Sequence, residues 1–336
     1  MPAIFIKRNP KKEHSFETID LDTYKITRPA VFCFSGNATL ETSRANGMCK
    51  IAEHELRLLF DEKTGFNLYD NIDLIGVVYE QQEAKNTGII DDKSREKFVN
   101  KLLCPLCVDK DGKLFDVDTI CKNLSLVTFF TFCHGAKEVC NLLFLFSKNV
   151  LKDLPYEDVA RVLSSIMNVS YSPDTRFVSC PSIILTSAQD PFSISEISEY
   201  EDALGEINGI DIVYNNAYES LRGSDKYKYF PHIHIYSSRL NNGKDKMFEE
   251  EHHIRLLDRN KDWENYIQLR SGERLDFGSN ADAISQMTSY ALCASVENGL
   301  QNLKSATYIP KQPLLDTYYD LQSIKKSFDE QSLLSF

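Results

Sequence analysis

The stretch Leu126–Leu151, LVTFFTFCHGAKEVCNLLFLFSKNVL, decides the fold. Its first residues, through Phe132, are β-branched and aromatic with no turn residue, which predicts a buried strand. From Lys137 the apolar residues Val139, Leu142, Leu143, Phe146 and Val150 recur with a helical period. Between the two lies Cys133-His134-Gly135-Ala136, too short for anything but a sharp strand-to-helix turn.

Reading outward, short β-rich runs alternate with amphipathic ones, the signature of βαβ units and a mostly parallel central sheet flanked by helices. Upstream, Ala30–Phe34 (AVFCF) predicts a first strand broken at Ser35, Gly36 and Asn37. Residues 48–60 then predict a helix, Asp73–Tyr79 a second strand, and Asp91–Asn123 a mostly helical segment. Downstream, residues 156–167 predict a helix after Pro155, and Pro181–Ser187 a fourth strand ending near Gln189 and Asp190. Weaker strands follow at Ile210–Tyr214 and His232–Tyr236, a helix at residues 281–303, and a peripheral helix after Pro310. The expected organisation is an N-terminal extension (1–28), one α/β domain with helical insertions (29–310) and a C-terminal tail (311–336).

Composition narrows the function. The 336 residues carry 38 Lys plus Arg against 49 Asp plus Glu, a formal charge of −11, which disfavours a general grip on nucleic acid or an anionic membrane. Nine cysteines at irregular spacings, several inside apolar runs, predict free thiols and a reducing compartment. The N-terminus, MPAIFIKRNPKKEHSF, has no apolar core of a secretory signal, and no apolar run reaches the roughly 18 residues of a membrane helix. Neither a dinucleotide fingerprint nor a phosphate-binding loop occurs, so no cofactor is expected. Cys104 and Cys107 lack a second zinc-finger pair, and His232 and His234 lack a nameable third ligand, so no metal is expected either.

The turn Thr131-Phe132-Cys133-His134-Gly135 carries the chemistry. A nucleophile on a strained strand-to-helix turn needs small neighbours two residues away, where larger side chains meet neighbouring backbone. The helix N-terminus favours the thiolate of such a cysteine, and the amide of His134 points into the same space.

These residues resemble the α/β-hydrolase fold over roughly residues 29–260: a strand and loop (FSGNAT), the elbow TFCHGA, a strand followed by an acid (IILTSAQD), and later histidines. Thr131 stands where the family usually carries Gly, and Cys133 where most members carry Ser, although dienelactone-hydrolase-like members use Cys. The segments RANGMCK and CHGA also resemble lipase-like effectors of intracellular bacteria such as Legionella. The resemblance implies Cys133 as nucleophile, Asp190 as the acid, and His253 or His252 as the base. It implies an oxyanion hole from the amides of His134 and of Asn37 or Ala38. The implied activity is an ester or thioester hydrolase acting on an acyl-containing small molecule or lipid. Residues 102–108 and 156–169 read either as a lid over an acyl pocket or as core.

Two other readings stay open at this level. In a caspase-like peptidase, His134 and Gly135 would end one strand, with the nucleophile displaced to Cys180, or at position 188 if Ala188 stands in place of a natural Cys. In the third, an inactive hydrolase scaffold binds a host protein partner. The implied location is a bacterial cytoplasm or, after export, a host cytosol, with the C-terminal KKSFDEQSLLSF reading either as an export signal or as an ordinary frayed helix.

Overall fold

A computed structural model describes residues 3–8, 15–36, 48–53, 56, 71–78, 81–82, 87–88, 91–171, 180–187, 210–214, 231–237, 264–268 and 274–311. Its strands are β1 (Ile4–Arg8), β2 (Phe16–Ile19), β3 (Ala30–Phe34), β4 (Asp73–Val78), β5 (Gln81–Gln82), β6 (Thr87–Gly88) and β7 (Val127–Phe132). They continue with β8 (Met167–Tyr171), β9 (Ser182–Ser187), β10 (Ile210–Tyr214), β11 (Pro231–Ser237), β12 (Glu264–Gln268) and β13 (Arg274–Ser279). The labelled helices are α1 (Asp92–Phe98), α2 (Val117–Leu124), α3 (His134–Asn149), α4 (Tyr156–Leu163) and α5 (Asn280–Lys304).

Nine of these strands form one sheet in the order β10-β11-β9-β8-β7-β3-β4-β1-β2. The six from β4 to β11 run parallel to their neighbours, whereas β1, β2 and β10 pair antiparallel at the two ends. The class is therefore α/β with a mixed sheet, more antiparallel at its edges than the sequence pattern predicts. Those edge strands are short and partly polar, and along FETI of β2 two exposed residues lie between two half-buried ones.

The central strands β3 and β4 are buried on both faces because helices cover both. Every residue of β3 and β4 is buried. On one face Phe32, Phe34 and Phe129 meet Phe98 of α1, with ring centroids 5.1–6.4 Å apart. The same core takes in Val139, Leu142, Leu143 and Phe146 of α3, together with Val159 and Leu163 of α4. On the other face Thr128 Oγ1 and Ser295 Oγ of α5 are 2.6 Å apart, and a Cβ on Gly76 would lie 3.1 Å from Cys49 Sγ. Asp91 and Asp116 cap α1 and α2 by accepting from the amides of Ser94 and Thr119.

Several expectations change here. Two segments of the stretch read as an N-terminal extension are β1 and β2, which add to the sheet beyond β4. Asp73, buried at the start of β4, holds this region by accepting from Tyr24 Oη at 2.7 Å and Arg28 Nε at 2.8 Å, with Lys7 Nζ at 3.0 Å. Strand β8 was hidden in the sequence because MNVSY places Asn and Ser at interior positions. The stretches 102–108 and 156–169 are largely core: Leu102, Leu103, Leu106, Cys107, Val159, Val162 and Leu163 are all buried. The expected tail helix lies outside the described residues beyond Lys311. No described helix is long and apolar enough to cross a membrane.

Lys311 is half-buried, and its Nζ turns inward to donate to Val127 O at 3.2 Å and Ser295 Oγ at 2.9 Å. Burial lowers its ammonium to about 7, opposed in part by the Cys180 thiol. Between about 7 and about 10.4, the ordinary lysine value, the unfolded chain holds a proton that the folded chain has lost, so stability should rise with pH through this window. Between pH 7 and 8, below the midpoint at which an exposed thiol titrates, the melting temperature of the native chain should climb. That of Lys311→Met should climb less, and equal slopes in calorimetric scans would contradict the assignment.

Candidate functional site

Parallel pairing sets Phe34 of β3 opposite Thr131 of β7. Extending that register by two residues brings Gly36 level with Cys133. The chain leaves β3 toward β4 on one side and leaves β7 toward β8 on the other, so the carboxyl ends of β3 and β7 flank the switch point of the sheet. Crevices at such points are where open α/β sheets bind ligands.

Cys133 stands there as the residue before α3, with φ 50° and ψ −122°, and is the one non-glycine with positive φ among the described residues. Such a backbone costs about 1–3 kcal/mol and persists only where its surroundings impose it. They do so on three sides. A Cβ on Gly135 would lie 2.5 Å from the Phe34 carbonyl oxygen, so only glycine lets α3 start this close to β3. A Cβ on Gly36 would lie 2.9 Å from Cys133 Cβ, so glycine there too leaves room for the elbow. The amide of Ala136 donates to Cys133 O at 3.1 Å and closes the first turn.

Thr131 stands where the resemblance implies a small residue, two positions before Cys133. Its Oγ1 is 2.8 Å from Ser170 Oγ and 3.1 Å from Asn168 Oδ1, both on β8. Asn168 Nδ2 in turn donates to Ser182 Oγ at 3.4 Å. The hydroxyl is thus turned sideways into a buried polar ladder across β7, β8 and β9, which is how a threonine fits where the family resemblance implies glycine. The same ladder accounts for the polar residues that obscured β8.

His134 is buried beneath the turn, its Nε2 3.8 Å from Glu138 Oε1 one helical turn on. Glu138 is 1% exposed and takes a fork from Arg95 of α1: Nε to Oε2 at 3.1 Å, and Nη2 to Oε1 at 3.2 Å and to Oε2 at 3.1 Å. Sequence reasoning passed over Glu138 and Arg95. The available signal was a carboxylate four residues after His134, within a segment whose other residues at that spacing are apolar.

Cys133 is half-buried, in contrast to several other thiols. Burial raises Cys104, Cys107 and Cys180 above the ordinary thiol range and Cys121 to about 12. Burial first, then the neighbouring Cys49, does the same for Cys33. These groups stay protonated and make poor nucleophiles. Cys180, the displaced nucleophile of the peptidase reading, is fully buried before β9. Asn37, Ala38, Ala188, Asp190, His252 and His253 lie outside the described residues. Among the described residues no group of three or more His, Cys, Asp or Glu is arranged to hold a metal ion.

The glycine contact yields a stability test. Gly135→Ala should destabilise the fold by roughly 1–3 kcal/mol, because a backbone carbonyl cannot move aside as a flexible side chain can. Urea unfolding measures this directly, and an unchanged midpoint would mean that α3 does not begin against β3.

Comparison of the chain with protein-family models and with curated proteins gives no match.

Proposed function

We infer that the chain is a cysteine-dependent acyl hydrolase of α/β-hydrolase-like architecture. The backbone of Cys133, strained at the strand-to-helix turn beside the sheet's switch point, carries the reading. A residue held in such a conformation by close glycine contacts is held for a purpose other than packing, and a thiol is the group that can use it.

In the proposed reaction the Cys133 thiolate attacks an ester or thioester carbonyl and forms a C–S bond. Negative charge develops on the carbonyl oxygen, where the amides of His134 and of Asn37 or Ala38 donate to it. The base, His253 or His252 oriented by Asp190, takes the thiol proton and delivers it to the departing alcohol or thiol as the C–O or C–S bond breaks. Water, deprotonated by the same imidazole, then attacks the acyl-enzyme thioester, releasing the carboxylic acid and restoring the thiol. The substrate class is an acylated small molecule or lipid. Export from a bacterium into a host cytosol, with a host protein as partner, follows from the effector resemblance and belongs to the same proposal.

The experiment is a brief incubation with p-nitrophenyl acetate and with a long-chain acyl thioester, quenched in acid and read by intact mass and peptide mapping. An acyl adduct on Cys133 is expected, absent in Cys133→Ala, with turnover reduced about 10²–10⁴-fold by replacing whichever of His253 and His252 is the base. Absence of any adduct would favour the inactive scaffold, and adducts spread over several thiols would remove Cys133 from its role.

A further inference from the structure

The carboxylate beneath the elbow has no part in the chemistry just described. Glu138 is 1% exposed on a helix whose neighbouring buried positions are Ala136, Val139 and Leu142. Removing such a charge from water is costly, and a buried ion pair adds little net stability over apolar side chains of similar volume. What the pair does supply is direction, because a forked guanidinium–carboxylate contact fixes both planes. Arg95 is itself steadied from the far side, its Nη1 donating to Asp92 Oδ1 at 2.8 Å in the first turn of α1. The fixed carboxylate therefore stands 3.8 Å from Nε2 of His134, the residue immediately after Cys133, within electrostatic reach though longer than a hydrogen bond, and it is anchored on another helix.

We propose that Glu138, clamped by Arg95, is a positioning residue for the elbow. It holds the His134 imidazole under the first turn of α3 and so keeps the His134 amide turned toward the oxygen of the acyl group bound at Cys133. This rests on the acyl-transfer reading above. Gly135 sets how near α3 comes to β3, and Glu138 sets how the turn above it is rotated. An interaction of this kind acts on the transition state, where charge sits on the carbonyl oxygen, and leaves ground-state binding of the substrate alone. Alkylation of the same sulfur by iodoacetamide is a displacement at a saturated carbon that forms no oxyanion. The two reactions of Cys133 should consequently part company when the clamp is removed.

The test compares the native chain, Glu138→Gln and the paired substitution Arg95→Met with Glu138→Leu. The pair replaces the buried charges with apolar groups and keeps the protein testable should the single variant fail to fold. Each is assayed for p-nitrophenyl acetate turnover and for the rate of Cys133 alkylation by iodoacetamide. The expected result is a kcat at least tenfold lower, with KM and the alkylation rate within about twofold of native. His134→Gln should show the same pattern, and combining it with the paired substitution should add no further loss, because all these changes break one linkage. Unchanged kcat in the folded paired variant would overturn the proposal, as would turnover and alkylation falling together. A native chain with no turnover at all would instead refute the acyl-hydrolase reading and, with it, this role for Glu138.

Discussion

One carbonyl group and one absent side chain govern how closely helix α3 can start against strand β3. The Phe34 oxygen occupies the space that any β-carbon at position 135 would need, so α3 begins directly against β3. The six-residue run of β7 must then turn into a helix without a connecting loop, and Cys133 absorbs the change of direction in its own backbone. The aromatic layer of Phe32, Phe34, Phe98 and Phe129 makes this arrangement rigid from below. Because interiors are close-packed, a strand end seated on such a layer has little freedom to relax the turn above it.

The polar groups beneath the turn act in a different way from the apolar ones. Thr131, Asn168, Ser170 and Ser182 form a fully buried ladder that joins three adjacent strands by side chains as well as by backbone. Buried hydrogen bonds are directional, and a slip of one strand by a single residue would leave several of these groups without partners. Apolar burial gives the sheet its cohesion, and the ladder helps fix the register that brings Gly36 level with Cys133.

Much of this fold was legible before any coordinates. Strands β3, β4, β7 and β9 and helices α3, α4 and α5 follow from apolar runs and helical periodicity, because burial on both faces leaves a compositional trace. The junction at Cys133 was legible because small and reactive residues interrupt two opposite periods within four positions. What escaped had local causes. In β8 the inward residues are polar and satisfied by neighbours distant in sequence. In β1 the charged residues answer to other parts of the chain, Lys7 to Asp73 and Arg8 to Glu53. The Arg95–Glu138 pair spans 43 positions, and one chain alone gives no sign that those two side chains meet.

The placement of β1 also bears on which edge of the sheet is open to pairing. DLIGVV is a wholly buried strand, and its outer row of amides and carbonyls is covered by pairing from Ile4 to Lys7. A chain cut back to residue 29 would present that row bare, long and apolar, which is the template that recruits another strand. Strand β1 thus covers an edge that would otherwise be open to pairing, and shortened versions of the protein should be judged by their solubility before their chemistry.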